Sequence, residues 1–349
     1  MKTSLCITTF YCLLAASAAQ SAEVTIYGVA DTGMQFVDTK EGGSKFGMVS
    51  GGRNGSRLGL RGTEDLGNGL NAIFMLEQGI NYDTGRLGQG GRMWGRQAFM
   101  GLRGNFGTLA LGRVATFSSG SGAFDMFGDL DPFLTSFGIA GLGSTMSSAS
   151  GLRTDNSILY MTPNWNGFRF GAAHSFEFDG EQDFGSHGKD NHVTSFGVQY
   201  TSGPFNTALT LDTLNDPSGG SDEQHYQLGA SYDFDVIKLY AALGYERNQF
   251  SPDFNITGTT NGADARSWMA GLSAPWGSGT IRLSYQRRNG QRIGADKRDV
   301  NVASIGYEYN LSKRTMLYAA IANSDGRNTL NGDPDFDRRV YTAGVAHRF

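Results

Sequence analysis

The chain has 349 residues with a formal net charge of −4, and it contains 51 glycines, 7 prolines, 23 phenylalanines, 14 tyrosines and two cysteines. The slight negative balance argues against a nucleic-acid partner, and the length fits one large all-β domain or two ordinary ones. Glycine at about twice its usual share, scarce proline and many aromatics indicate strands and turns, and no apolar run beyond the first segment is long enough to cross a bilayer as a helix.

The first segment, MKTSLCITTFYCLLAASAAQSAEV, carries one lysine, an apolar run from Leu5 to Ala16 and then small residues. This is the layout of a secretory signal peptide, too short for a membrane-spanning helix. Ser17 and Ala19 fill the small-residue positions, so the expected cut follows Ala19 and leaves a mature domain over residues 20–349. A cut after Ala22 would place Gln20 at the −3 position. No amphipathic stripe favours a buried helix instead. Both Cys6 and Cys12 lie in this segment, so the mature chain holds neither disulfides nor thiolate metal sites.

From Val24 onward, apolar and polar residues alternate with period two, and helical periodicity is hard to find. In EVTIYGVADTGMQF, Val24, Ile26, Ala30, Met34 and Phe36 alternate with Thr25, Tyr27, Asp31 and Gln35. GFRFGAAHSFEF, HYQLGASYDF, KLYAALGYE and GTIRLSYQ behave alike. Short connections are expected at residues 66–69, 104–107, 164–167, 202–204, 233–236, 274–279 and 310–314. Long polar ones are expected near 38–55, 81–92, 114–152, 178–191, 215–224, 248–264, 288–298 and 323–338. Seven short and eight long connections in strict alternation predict sixteen strands.

The last stretch, VYTAGVAHRF, is itself a strand that ends on Phe349. A bare strand edge invites pairing with other chains, and an even strand number lets this edge meet the strand beginning near Glu23. The sheet is then expected to close into a transmembrane antiparallel β-barrel, apolar outside and polar inside. Sixteen strands are too many for side chains to plug, which leaves an aqueous channel. Tyr and Phe near the strand ends would form the interfacial girdles.

SRLGLRGTEDLGNGLNAIFMLEQG, followed by GRQAFMGLRGNFGTLALGR, together with IYGVADTG and the final HRF, resembles the trimeric general porins of Gram-negative bacteria, in their β-proteobacterial branch. The likeness covers essentially the whole mature chain. It implies a multi-pass outer-membrane protein and a homotrimer of sixteen-stranded barrels, with a long third loop folded into each pore. It also implies that Phe349 is the signal read by the barrel-assembly machinery, and that outer-membrane lipids, small hydrophilic solutes and ions are the other partners. Gly28 and small residues beside it would let the first strands pack against neighbouring subunits.

The candidate functional residues are pore-lining charges. Arg57 and Arg61 stand four apart on one strand and share a face, with Leu58 and Leu60 on the other. Arg96 shares its face with Ala98, opposite Phe99, and is expected to point inward. Arg153 sits where the third long connection returns to the wall. The resemblance gives these four the place of a basic constriction cluster, with Glu77 as an acidic wall residue among them. Val29 stands where related channels can carry a lysine, which makes the cluster smaller. On the inward loop, GAFDMFGDLDPF supplies Asp125, Asp129 and Asp131 as the opposing carboxylates, although the glutamate-containing motif of enteric relatives is absent. Arg113 is expected to anchor the loop base or a subunit contact.

Other constellations fail. There is no Walker loop or HExxH, and His174, His187, His192, His225 and His347 lack convincing ligand spacing. No cofactor, metal or catalytic residue is expected. The reading is a passive diffusion porin, with a substrate-selective anion porin as the alternative within the class. An outer-membrane barrel enzyme is the alternative outside it, and would need a Ser–His or Asp–His set at one rim.

Overall fold

The computed structural model describes residues 23–40, 42–133, 137–146, 152–180, 191–215, 221–249, 263–290, 299–326 and 336–349. The expected export signal, and parts of the long connections, lie outside them. The first half of the chain supplies β1 (Glu23–Thr39), β2 (Gly43–Ser50), β3 (Arg57–Gly67), β4 (Leu70–Asn81), β5 (Arg86–Leu87), β6 (Gln97–Gly104), β7 (Gly107–Ala115), β8 (Arg153–Met161) and β9 (Phe168–Ser175). The second half supplies β10 (Val193–Ser202), β11 (Phe205–Leu214), β12 (Glu223–Asp233), β13 (Lys238–Gln249), β14 (Ala263–Trp276), β15 (Gly279–Gly290), β16 (Val300–Asn310), β17 (Thr315–Gly326) and β18 (Arg338–Arg348).

Each strand pairs antiparallel with its neighbours, and β1 pairs with β18, so the sheet is a closed ring. β2 and β3 share one position in that ring. β2 covers the far half of β1, from Thr32↔Ser50 to Thr39↔Gly43, and β3 covers the near half, from Glu23↔Thr63 to Val29↔Arg57. Residues 51–56 interrupt them. β5 pairs only with β4, through two residues. Sixteen wall positions remain, as the alternation of connections predicts. All seven short connections fall between consecutive strands. The first long connection departs from expectation, because its middle eight residues form the strand β2 rather than irregular chain.

Side-chain alternation sets the two faces. On β11, Ala208, Thr210 and Asp212 are buried while Leu209 is 51% exposed; on β12, Gln227 is buried and Leu228 is 45% exposed. The exposed apolar set is the outer face, which water alone would not favour and lipid does.

The inner face is less uniformly polar than its sequence suggests. The described residues of the third long connection, 116–133, 137–146 and 152, include a stretch that turns into the ring and places large side chains over inward glycines. Phe117 covers Gly171 of β9 and Gly197 of β10, Phe127 and Leu130 cover Gly229 of β12, and Phe133 covers Gly306 of β16. A Cβ on Gly229 would lie 2.7 Å from Phe127 Cζ, and one on Gly306 would lie 2.8 Å from Phe133 Cε1. Phe117, Phe127 and Phe133 are fully buried. Each such burial contributes about 1.5–3 kcal/mol, so the inward segment is fastened across the arc from β9 to β16.

Gly229→Leu should therefore cost about 1–3 kcal/mol by overpacking. Urea unfolding followed by tryptophan fluorescence checks this: the midpoint should fall for Gly229→Leu and stay in place for Ala241→Leu on the exposed face of β13.

Candidate channel-lining site

Opposite the packed arc, the interior holds a cavity of about 830 Å³. Its lining includes Arg57 and Arg61 of β3, Glu77 of β4, Arg96, Arg153 at the head of β8, and Arg348 of β18, together with Asp125 and Asp129 of the inward segment. Seven of the eight charges expected at the constriction thus meet in one cavity.

The wall side is built around Glu77. Its Oε1 accepts from Arg96 Nε at 2.6 Å, and its Oε2 accepts from the Tyr27 hydroxyl at 2.9 Å and lies 3.6 Å from Arg57 Nε. Glu77 and Arg96 are buried, whereas the Arg57 side chain keeps 25% of its surface exposed. Arg61 is exposed and rests over the Tyr27 ring, 5.3 Å from its centroid. Arg153 donates through Nη2 to Ser121 Oγ at 3.1 Å, which ties the wall to the inward segment.

Arg96 reaches this place by a different route from the one its sequence parity implies. On β6 it is Phe99 that faces inward, with its ring 5.1 Å from that of Phe124, while Met100 is 66% exposed on the outside. Arg96 precedes the strand, where alternation does not bind it, and its backbone N–H donates to Glu77 O at 3.1 Å.

The loop side is held by its own carboxylates. Asp125 Oδ1 accepts the backbone N–H of Gly120 and Phe127 at 2.9 and 3.0 Å, and Oδ2 accepts that of Gly128 at 2.8 Å. Burial outweighs these three donors and pushes the Asp125 carboxyl up to about 6. Asp129 is exposed to the cavity. Asp131 is a correction to the expected set: it is fully buried, and its two oxygens accept from Phe133 N at 2.9 Å and Leu142 N at 2.8 Å. It shapes the inward segment and does not line the cavity.

Two further sequence expectations resolve here. Arg113 does anchor the base of the segment, through Asp155 Oδ1 at 2.5 Å and Gly95 O at 2.8 Å. At Gly28, expected beside a neighbouring subunit, the contact within the chain is with its last residue. The Phe349 ring of the same chain occupies its space, where a Cβ would lie 2.3 Å from Phe349 Cζ. The two residues also exchange backbone hydrogen bonds at 3.0 and 3.1 Å. Sequence reasoning missed Arg348, although its parity with buried Val340, Thr342 and Ala346, against exposed Tyr341 and Val345, carries the signal.

Comparison with known proteins supplies the context. Residues 8–329 match the Gram-negative porin family model. An outer membrane porin protein of Bordetella pertussis is 37% identical over 396 residues, covering 100% of both chains. Outer membrane porin protein 32 of Delftia acidovorans is 36% identical, over 89% of this chain and 86% of its own. Among solved structures, an anion-selective porin from Comamonas acidovorans superposes with a TM-score of 0.76 at 30% identity, covering 94% of this chain and 100% of its own.

Removing one partner of a buried ion pair strands the other, at a cost of about 3 kcal/mol or more. Glu77→Gln should accordingly lower the urea midpoint sharply, while Glu64→Gln, at an exposed position of β3, should leave it nearly unchanged.

Proposed function

The chain belongs to the Gram-negative porin family, and from that premise we propose that the charged cavity is the narrow part of its passage and favours anions. The protein is an outer-membrane β-barrel channel through which ions and small hydrophilic solutes move passively down their gradients. The anion preference rests on the lining itself, where five arginines stand against three carboxylates, Glu77, Asp125 and Asp129. Glu77 is already engaged by Arg96 and Arg57. A passing anion therefore meets Arg57, Arg61, Arg153 and Arg348 with only the loop aspartates to oppose them. The description of the Comamonas relative as anion-selective supports the same sign.

Three further elements complete the reading: the layout of the first segment has residues 1–19 removed on export, and the resemblance has Phe349 read during barrel assembly and the native form a homotrimer. The pairing of Phe349 with Gly28 gives its loss a direct structural penalty as well.

A unit charge about 4 Å from a passing ion contributes about 1 kcal/mol in a water-like pore, and more where the walls lower the dielectric. Arg57→Glu combined with Arg61→Glu should shift the reversal potential toward cations by several-fold in permeability ratio at low salt. At about 1 M salt the Debye length is about 3 Å, so the shift should shrink. An unshifted potential in a normally inserted variant would remove these arginines from the passage.

Acidification supplies a second test. The Asp125 carboxyl is ionised above about pH 6 and protonated below it. Lowering the pH from about 7.5 to about 5 should therefore add positive character and strengthen anion preference. Asp125→Asn should show the strengthened preference already at the higher pH and lose that step on acidification.

A further inference from the structure

Between β2 and β3 the wall is interrupted by residues 51–56, GGRNGS, which line one side of the cavity through Gly51, Asn54 and Gly55. One carboxylate holds this insertion. Asp31 of β1 is fully buried; its Oδ2 accepts the backbone N–H of Arg53 at 3.2 Å and of Asn54 at 2.7 Å, and its Oδ1 accepts the Tyr318 hydroxyl at 2.7 Å. Ser56 Oγ donates to Asp31 O at 2.7 Å, and Gly51 N donates to the same carbonyl at 2.8 Å. The Arg53 side chain forks onto both oxygens of Glu308, at 2.5 and 3.0 Å. A buried network of this kind rigidifies the backbone it holds.

Two glycines of the insertion have different reasons. Gly51 takes φ +69°, in the left-handed region that favours glycine. Gly55 lies outside that region, so its conformation does not call for glycine. What its position excludes is a side chain. A Cβ there would lie 2.8 Å from Arg96 Nη1 and 3.6 Å from Arg96 Cζ, and the three heavy atoms nearest to it all belong to Arg96. The guanidinium of Arg96 therefore rests against the face of Gly55, while Glu77 Oε1 holds its Nε at 2.6 Å. Gly55 O also accepts from Arg57 Nη1 at 3.1 Å. A glycine in irregular chain is ordinarily explained by turn geometry, and here the explanation is an arginine of the cavity lining.

We propose that Gly55 is a positioning residue for the passage: its missing side chain lets Arg96 lie back against the wall, which sets both the free width and the charge that a passing ion meets. The inference rests on the reading of the charged cavity as the narrow part of the passage. Because Nε stays on Glu77, a methyl group at position 55 turns the Nη1 end of Arg96 away from the insertion and into the cavity. The passage becomes narrower and more positive. The carbonyl that Arg57 uses is unchanged, and the methyl meets the flexible end of a side chain rather than backbone.

Planar-bilayer recording of the purified mature protein tests this with Gly55→Ala, Arg96→Lys and the two combined. Gly55→Ala should lower single-channel conductance and raise the anion-to-cation permeability ratio about twofold at low salt, less than a full added charge beside the path would supply. Lysine keeps the charge within reach of Glu77 but carries no Nη atoms, so adding Gly55→Ala to Arg96→Lys should change neither quantity. This comparison separates an effect through Arg96 from general damage to the insertion. Gly47→Ala, at a β2 position where a Cβ meets nothing within 4 Å, should match the wild type. If Gly55→Ala assembles poorly, recovery of assembly by Arg96→Lys supports the inference, and failure in both backgrounds overturns it. Unchanged conductance and ratio in Gly55→Ala, or the same change in both backgrounds, would also overturn it. The combined Arg57→Glu and Arg61→Glu variant keeps the underlying reading distinct. A shift with that variant and none with Gly55→Ala fails the inference alone, and no shift with either fails the reading as well.

Discussion

The structure depends on the need to pair every backbone N–H and C=O of a wall that faces hydrocarbon. An open sheet would leave one row of these groups exposed on each edge. Here β1 and β18 remove both edges together, through eleven register pairs from Val29↔Arg348 to Thr39↔Arg338. The exchange of hydrogen bonds between Gly28 and Phe349 extends that seam by one more pair. Closure then dictates the rest. The lipid-facing half of each strand must be apolar, the other half faces inward, and sixteen strands enclose more volume than wall side chains can fill.

That surplus volume is divided by a single segment. Along β9 to β16 the wall offers glycines where other residues would project, and Phe117, Phe127, Leu130 and Phe133 settle onto them. Polar anchors complete the attachment: Gln286 Nε2 donates to Ala140 O at 2.6 Å, Thr145 Oγ1 to Gln286 Oε1 at 2.8 Å, and Arg282 Nη1 to Pro132 O at 2.6 Å. Arg53 and Arg282 share Glu308, at 2.5 and 2.9 Å, and Arg282 is the same residue that reaches Pro132 of the segment. Buried ion pairs of this kind stabilise little relative to apolar packing, but they fix position. The charges inside the barrel therefore have two separate employments. Those under the segment are buried in pairs and hold it in place, while beside it the buried Glu77–Arg96 pair stands among charges that line the cavity.

Much of this was legible in the sequence, because a strand's period of two makes face, edge and turn readable from one chain. The strand number, the seven tight turns and the inward placement of Arg57, Arg61 and Glu77 all follow from that period. Where the period stops, the reading fails. Arg96 lies one residue before β6 and reaches the cavity against the parity of its neighbours. Asp131 sits in irregular chain, where two backbone N–H groups capture it. The Arg53–Glu308 contact joins residues 255 positions apart, and nothing local announces it. A glycine in a strand signals close approach of something, and only the folded chain shows that Phe127 or Phe133 is what approaches.

A water-filled passage whose lining carries more positive than negative charge should pass anions in preference to cations. The most direct measurement is the reversal potential of the wild-type protein in a planar bilayer under a steep KCl gradient near neutral pH. Discrete conductance steps that reverse on the chloride side are the predicted result. Steps that reverse on the potassium side, or a purified barrel that inserts without conducting, would contradict it.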